Sequence, residues 1–210
     1  MKTTSFSTTF ASLALSTLLT SSSAAPINVD TGAAGLTLTL NINTAGQQAL
    51  GAGVGGQQLF AFSSHQFISA LPENVVNGTE ATGGLAGATG EFNFGIHSGL
   101  NMICYNITLH NFQGEFSSPA TTATHIHEAA LGASGPPRIS FPNPEPVDGD
   151  MAVMNSAGCL KGPFVTGVMV DGVDSGEGFH VEMIEANPSA FMADTHSSLA
   201  LAGAVRGQLS

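Results

Sequence analysis

The chain has 210 residues, with 15 acidic side chains against four basic ones, a formal net charge of −11 at pH 7 and a charged fraction of only 9%. So acidic a surface repels nucleic acid phosphates and anionic lipid headgroups, which sets both aside as partners. Abundant Gly, Ser, Thr and Ala with little charge suit an exported β-protein better than a helical enzyme.

Residues 1–25 carry the pattern of an export signal. Lys2 precedes a short apolar stretch from Phe10 to Leu19, and the small-residue run Ser22-Ser23-Ala24-Ala25 follows, where cleavage is expected. The stretch is shorter than the roughly 20 residues a membrane-spanning helix needs, and no later segment is apolar for long enough. The expectation is a secreted protein, extracellular or cell-wall associated, whose net charge without Lys2 is 3 − 15 = −12. Residues 26–58 read as a Gly/Ala-rich arm. Its run Gly51-Ala52-Gly53-Val54-Gly55-Gly56 is low in complexity, and too few bulky side chains are present for it to pack alone, so it is expected to be flexible. Within it, Gly35-Leu36-Thr37-Leu38-Thr39-Leu40 alternates as a strand does.

The folded part is expected over residues 59–210. Leu59-Phe60-Ala61-Phe62 and Phe67-Ile68 predict a first strand before Pro72, and Gly83 to Gly90 a loop. Glu91-Phe92-Asn93-Phe94-Gly95-Ile96 alternates, placing Phe92, Phe94 and Ile96 inward. After a turn at Ser98-Gly99, Ile103, Tyr105, Ile107 and Leu109 share one face of the next strand; Cys104, Asn106, Thr108 and His110 share the other. Thr124-His125-Ile126-His127-Glu128 presents two imidazoles outward and Ile126 inward. Gly132 to Pro146, with Pro136-Pro137 and Pro142-Asn143-Pro144, reads as a loop that excludes a helix or a central strand. Phe164, Thr166, Val168 and Val170 predict another strand. Gly178 to Asn187 holds a short helix with Val181 and Ile184 on one side, and Phe191–Ser197 and Gly203–Leu209 read as closing strands. Strands parted by turns, with little helix and no long crossover, argue an all-β antiparallel sandwich or barrel.

Two cysteines, Cys104 and Cys159, form an even pair, expected to make one disulfide in an oxidising compartment. The loop it closes contributes about 4 kcal/mol in the chain-entropy account. Asn77-Gly78-Thr79 and Asn106-Ile107-Thr108 are glycan acceptor patterns; on an exported chain, Asn77 and Asn106 are candidate glycosylation sites, and Asn106 on the outward face fits the strand phase.

The downstream half resembles the CHRD domain, the module named after chordin and found in many microbial secreted proteins. The resemblance rests on Cys104-Tyr105-Asn106-Ile107-Thr108-Leu109, then Ala123-Thr124-His125-Ile126-His127-Glu128 leading into Gly132-Ala133-Ser134-Gly135-Pro136-Pro137, then Asn187-Pro188-Ser189-Ala190-Phe191 ahead of Asp194-Thr195-His196, and the closing Gly203-Ala204-Val205-Arg206-Gly207-Gln208-Leu209. It spans roughly Phe60 to Leu209 and implies an immunoglobulin-like β-sandwich. It implies little about activity, because a fold hosts many functions.

His125 and His127 are candidate metal ligands, with His196 as the third and Asp194 on the same strand face. Imidazole suits copper or zinc. The alternative is that these histidines hydrogen-bond the loop that follows and hold it to the sheet. His-x-His before Glu, a Gly-rich loop and a disulfide is also similar to Cu/Zn superoxide dismutase. That family needs further histidines soon after the pair, and here none occurs between His127 and His180, so its dinuclear site is not built in that way. His65, His97, His110 and His180 are scattered and read as surface or turn residues. Asp171-Gly172-Val173-Asp174-Ser175-Gly176-Glu177 has cation-binding oxygens without EF-hand spacing and reads as a solvated acidic turn. Arg206 is expected to pair with a carboxylate inside the sandwich. No Gly-x-Ser-x-Gly elbow, reactive-thiol pattern or phosphate-cradling loop is present. The expectation is a non-catalytic secreted binding or matrix module for an extracellular protein or glycan, with a mononuclear metal protein, and more distantly a dismutase-like enzyme, as alternatives.

Overall fold

The computed structural model describes residues 28–31, 36–39 and 61–210. The export-like segment, most of the arm, and Leu59 and Phe60 lie outside the described residues. Within the arm, Asn28–Thr31 (β1) and Leu36–Thr39 (β2) form a two-stranded antiparallel ladder, so the alternating run is a strand with a partner.

From Ser64 onward the chain is a series of antiparallel strands: Ser64–Ala70 (β3), Val76–Asn77 (β4), Glu80–Ala81 (β5), Thr89–His97 (β6), Met102–His110 (β7), Thr124–Glu128 (β8), Pro137–Phe141 (β9), Glu145–Val147 (β10), Asp150–Lys161 (β11), Met169–Val170 (β12) and Val173–Asp174 (β13). One short helix, Glu182–Ala186 (α1), precedes Phe191–Ser197 (β14) and Ala200–Gln208 (β15). Two sheets form the body. One has the order β10-β11-β7-β6-β3, the other β15-β14-β8-β9. They meet at one corner, where Leu71 pairs with Arg206 through reciprocal backbone bonds of 2.9 and 3.1 Å. The expected all-β antiparallel sandwich is the fold observed.

Alternation dictates the core. Phe92, Phe94 and Ile96 of β6 and Ile103, Tyr105, Ile107 and Leu109 of β7 all point to the facing sheet and are buried. Ile126, Ile139, Phe141, Ala193 and Val205 meet them from the other side. Phe141 is the bridge: its ring stacks on Phe94 at 5.3 Å and lies against Tyr105 at 4.9 Å. On the outer face of β7, Cys104 stands directly opposite Cys159 of β11, and the two form the expected disulfide. Val181 and Ile184 are fully buried at the expected short helix.

Three expectations are corrected. The loop over Gly132 to Pro146 contains β9 and β10. Both are edge strands, and Pro137 opens β9, where a missing N–H costs least. The strand expected from Phe164 to Val170 is confined to Met169–Val170. Phe164 and Thr166 do turn inward, but from a loop tied down by Asp174, whose carboxylate accepts from the N–H groups of Thr166, Gly167 and Gly176. The acidic turn is therefore a hairpin with its own hydrogen-bond partner. Where the sequence carried no expectation, Asp150–Lys161 forms β11: it has no alternating pattern, and it is a strand because β7 offers it a continuous ladder from Lys161 to Val153.

The core assignment predicts a contrast between two phenylalanines. Phe141→Ala, at 0% exposure, loses about 3–5 kcal/mol of unfolding free energy. Phe67→Ala, 56% exposed on β3, changes it by no more than about 0.5 kcal/mol. Denaturant unfolding followed by circular dichroism measures both; equal losses contradict the assignment.

Candidate metal centre

β14 runs antiparallel to β8, placing Asp194 opposite His125 and Met192 opposite His127. Cross-strand partners share a face, so the period of two gathers His125, His127, Asp194 and His196 on the side away from the core. Ile126 and Ala193 fall on the core side and are buried there. The ladder between β14 and β15 shifts register between Thr195 and Ser197, at the position of His196.

The expected pair faces away from the sandwich interior but is not presented to bulk water. His125 is 1% exposed and His127 9%. His125 meets Thr122 in the segment before β8, whereas the loop after β8 folds back onto His127, held by Ala129 N–H to Ala190 O at 2.8 Å and by Glu128 N–H to Pro136 O at 3.1 Å. Its tip is clasped to the β4–β5 turn by Ser134 N–H donating to Gly78 O and Gly78 N–H donating to Ser134 Oγ.

The donor atoms converge. One nitrogen from each of the three rings and a carboxylate oxygen of Asp194 all lie within 4.8 Å of one another. His127 Nε2 is 3.2 Å and His125 Nδ1 3.5 Å from Asp194 Oδ1, and His196 Nε2 is 3.2 Å from Oδ2. Tetrahedral zinc with bonds of about 2.0–2.1 Å sets its ligands roughly 3.4 Å apart, so the widest separations must close by about 1.4 Å around an ion.

Protonation follows from the opposite ring nitrogens. His125 Nε2 contacts Thr122 O at 2.7 Å, His127 Nδ1 contacts Gly135 O at 2.8 Å, and His196 Nδ1 contacts Leu201 O at 2.9 Å. A carbonyl only accepts, so each of these nitrogens carries the hydrogen. In a neutral ring the remaining nitrogen then bears a lone pair, aimed at Asp194. Among the described residues, His125 Nδ1, His127 Nε2 and Asp194 Oδ1 are buried without a hydrogen-bond partner. Fixing the tautomer through a backbone carbonyl is how proteins orient metal-binding imidazoles.

The electrostatics demand a cation. Burial pushes the Asp194 carboxyl upward, but the charges of His127 and His196, with further support from His125, overcome it and hold it well below the usual carboxylate range. Burial pulls His196 down, and Asp194 outweighs that to raise it to about 9. Without an ion, the proton on His196 Nε2 is what balances the carboxylate. Arg206 is next to Asp194 in the ladder and 3% exposed; burial lowers its pKa and Asp194 opposes the drop.

The sequence profile of the CHRD domain matches residues 69–209, well over half of the chain. The chain belongs to the CHRD-domain family. No curated protein and no solved structure matches it. The matched span of the CHRD domain contains every residue of the cluster, on β8 and β14.

The fold brings His125, His127 and His196 together with Asp194, which the sequence placed on the same strand face as His196. His65, His97, His110 and His180 are not part of the cluster. Asn77 is exposed on β4; Asn106 is half-buried, with its side-chain oxygen accepting from Asn155 at 2.8 Å. Arg206 is corrected. It sits on the outer face under the covering loop, where its guanidinium donates to Ala130 O at 3.2 Å, and among the described residues no carboxylate lies in ion-pair contact with it. The alternation of β14 and β15 carried the signal for both Asp194 and Arg206; their pairing depended on a register that only the folded ladder supplies. No helix among the described residues is long and apolar enough to cross a membrane.

The raised His196 pKa fixes a pH dependence for the chelated protein. A raised folded-state value stabilises below the unfolded value of 6.5, and that stability is lost as pH rises through about 9. His196→Gln in EDTA is therefore destabilised relative to wild type by up to about 3 kcal/mol at pH 6. The gap closes by about pH 10. Paired urea titrations measure it; a gap that grows with pH refutes the assignment.

Proposed function

We propose that this CHRD domain is a secreted, non-catalytic extracellular module that holds one zinc or copper ion through His125, His127, His196 and Asp194. The observation that carries the reading is the set of buried donor atoms, unsatisfied and aimed at one another, on rings whose tautomers are fixed from behind. Three imidazoles and a carboxylate suit zinc or copper(II), and four protein ligands are the count of ions that hold structure. The two readings of the histidines are compatible here. One nitrogen of His127 fastens the covering loop through Gly135 O, and the other is free for the ion.

Bound there, the ion takes the place of the His196 proton and ties β8 and β14, with the covering loop, into one unit. The exported setting is supported by the signal-like residues 1–25, the cross-strand disulfide and the acceptor patterns at Asn77 and Asn106. An extracellular protein or glycan is the partner class that fits such a module.

Elemental analysis of protein purified without chelator is expected to find about one equivalent of zinc or copper per chain. Adding the ion to chelated wild type raises the melting temperature by several degrees, as binding only the folded state requires. His127→Ala and Asp194→Asn each lower the affinity at least about tenfold while circular dichroism keeps its β signature. Substoichiometric metal with no thermal shift from either ion retires the proposal.

A further inference from the structure

A recess of about 200 Å³ opens beside the cluster, lined by His127, Asp194 and His196 on one wall and by Arg206, Asn77 and Ser134 on others. His125 does not line it. One side of the centre is thus sealed and the other faces a space larger than the roughly 30 Å³ share of a single water.

Arg206 is the informative wall. Its guanidinium has five N–H donors in a rigid fork, and among the described residues its hydrogen bond goes to Ala130 O through one terminal nitrogen. Among the described residues no carboxylate is within ion-pair distance of it, although the residue is almost wholly buried. Near it, a divalent ion and the guanidinium bring three positive charges together, and Asp194 cancels one. In a chain of net charge −11, this leaves a local positive focus at the bottom of a recess.

We propose that the recess binds a small monovalent anion of carboxylate size, bridged between the metal and the Arg206 guanidinium. This rests on the metal reading above. The anion adds a ligand on the open side of the centre and supplies Arg206 with the acceptor its fork lacks. The geometry favours a planar, two-oxygen anion, because the fork matches it with two parallel hydrogen bonds.

The test uses full-length protein loaded with copper(II) in chloride-free buffer, titrated with azide and separately with formate. A saturable charge-transfer band with azide, displaced by formate, is expected. In Arg206→Met the apparent affinity for both falls at least about tenfold while the copper spectrum before titration is unchanged. Arg206→Lys, which keeps the charge without the fork, lies between the two and decides the matter if the Met variant fails to fold. Copper bound with no saturable anion response, or a response equal in wild type and folded variants, overturns the anion site and leaves the metal centre standing. Uptake of neither copper nor zinc retires both.

Discussion

A carboxylate taken almost wholly out of water must have positive charge close at hand, and Asp194 is such a carboxylate. Three imidazoles surround it, each with its far nitrogen committed to a backbone carbonyl. That commitment leaves no freedom in the near nitrogens. They can only present lone pairs to the carboxylate, or carry protons toward it. Leaving a buried charge unpaired costs several kcal/mol, so the arrangement is tenable only with a cation at its centre, a proton or an ion. The depressed Asp194 and the raised His196 are two expressions of that one requirement.

The sandwich makes this possible by giving its four-stranded sheet two different buried faces. The inner one is apolar and packs Ile126, Ala193 and Val205 against the rings of β6 and β7. The outer one is polar and is shielded by chain instead of by a second sheet. The loop after β8 does the shielding, fastened at Ala190, Pro136 and the β4–β5 turn. The corner pairing of Leu71 with Arg206 then anchors the strand that carries the guanidinium, so the positive side chain is placed by the same contact that joins the two sheets. Rigid strands position ligands better than loops do, and all four donors here are on strands.

Legibility differed by element for physical reasons. β6 and β7 were plain because one face is fully buried and their side chains alternate in size and polarity. β9 and β11 were obscured: the first is an edge strand opened by a proline, and the second carries small and polar residues whose strand state comes from a neighbouring ladder. Phe164 and Thr166 produced a false strand because a loop held by Asp174 turned the same two side chains inward. The histidine pair was visible as a unit because two residues set two imidazoles on one side of a strand.

Local chemistry alone therefore determined the class of the fold, the inner faces of β6, β7 and β8, the disulfide pair and the three imidazoles worth weighing. Only the folded chain decided that His196 and Asp194 stand beside His125 and His127, that the loop after β8 closes on His127, and that Arg206 faces a recess instead of the core. The reason is range. Alternation is a property of neighbours along the chain, whereas register joins residues about seventy positions apart, from Thr124 on β8 to Thr195 on β14, and is settled by which ladder and which covering loop satisfy the most backbone groups at once.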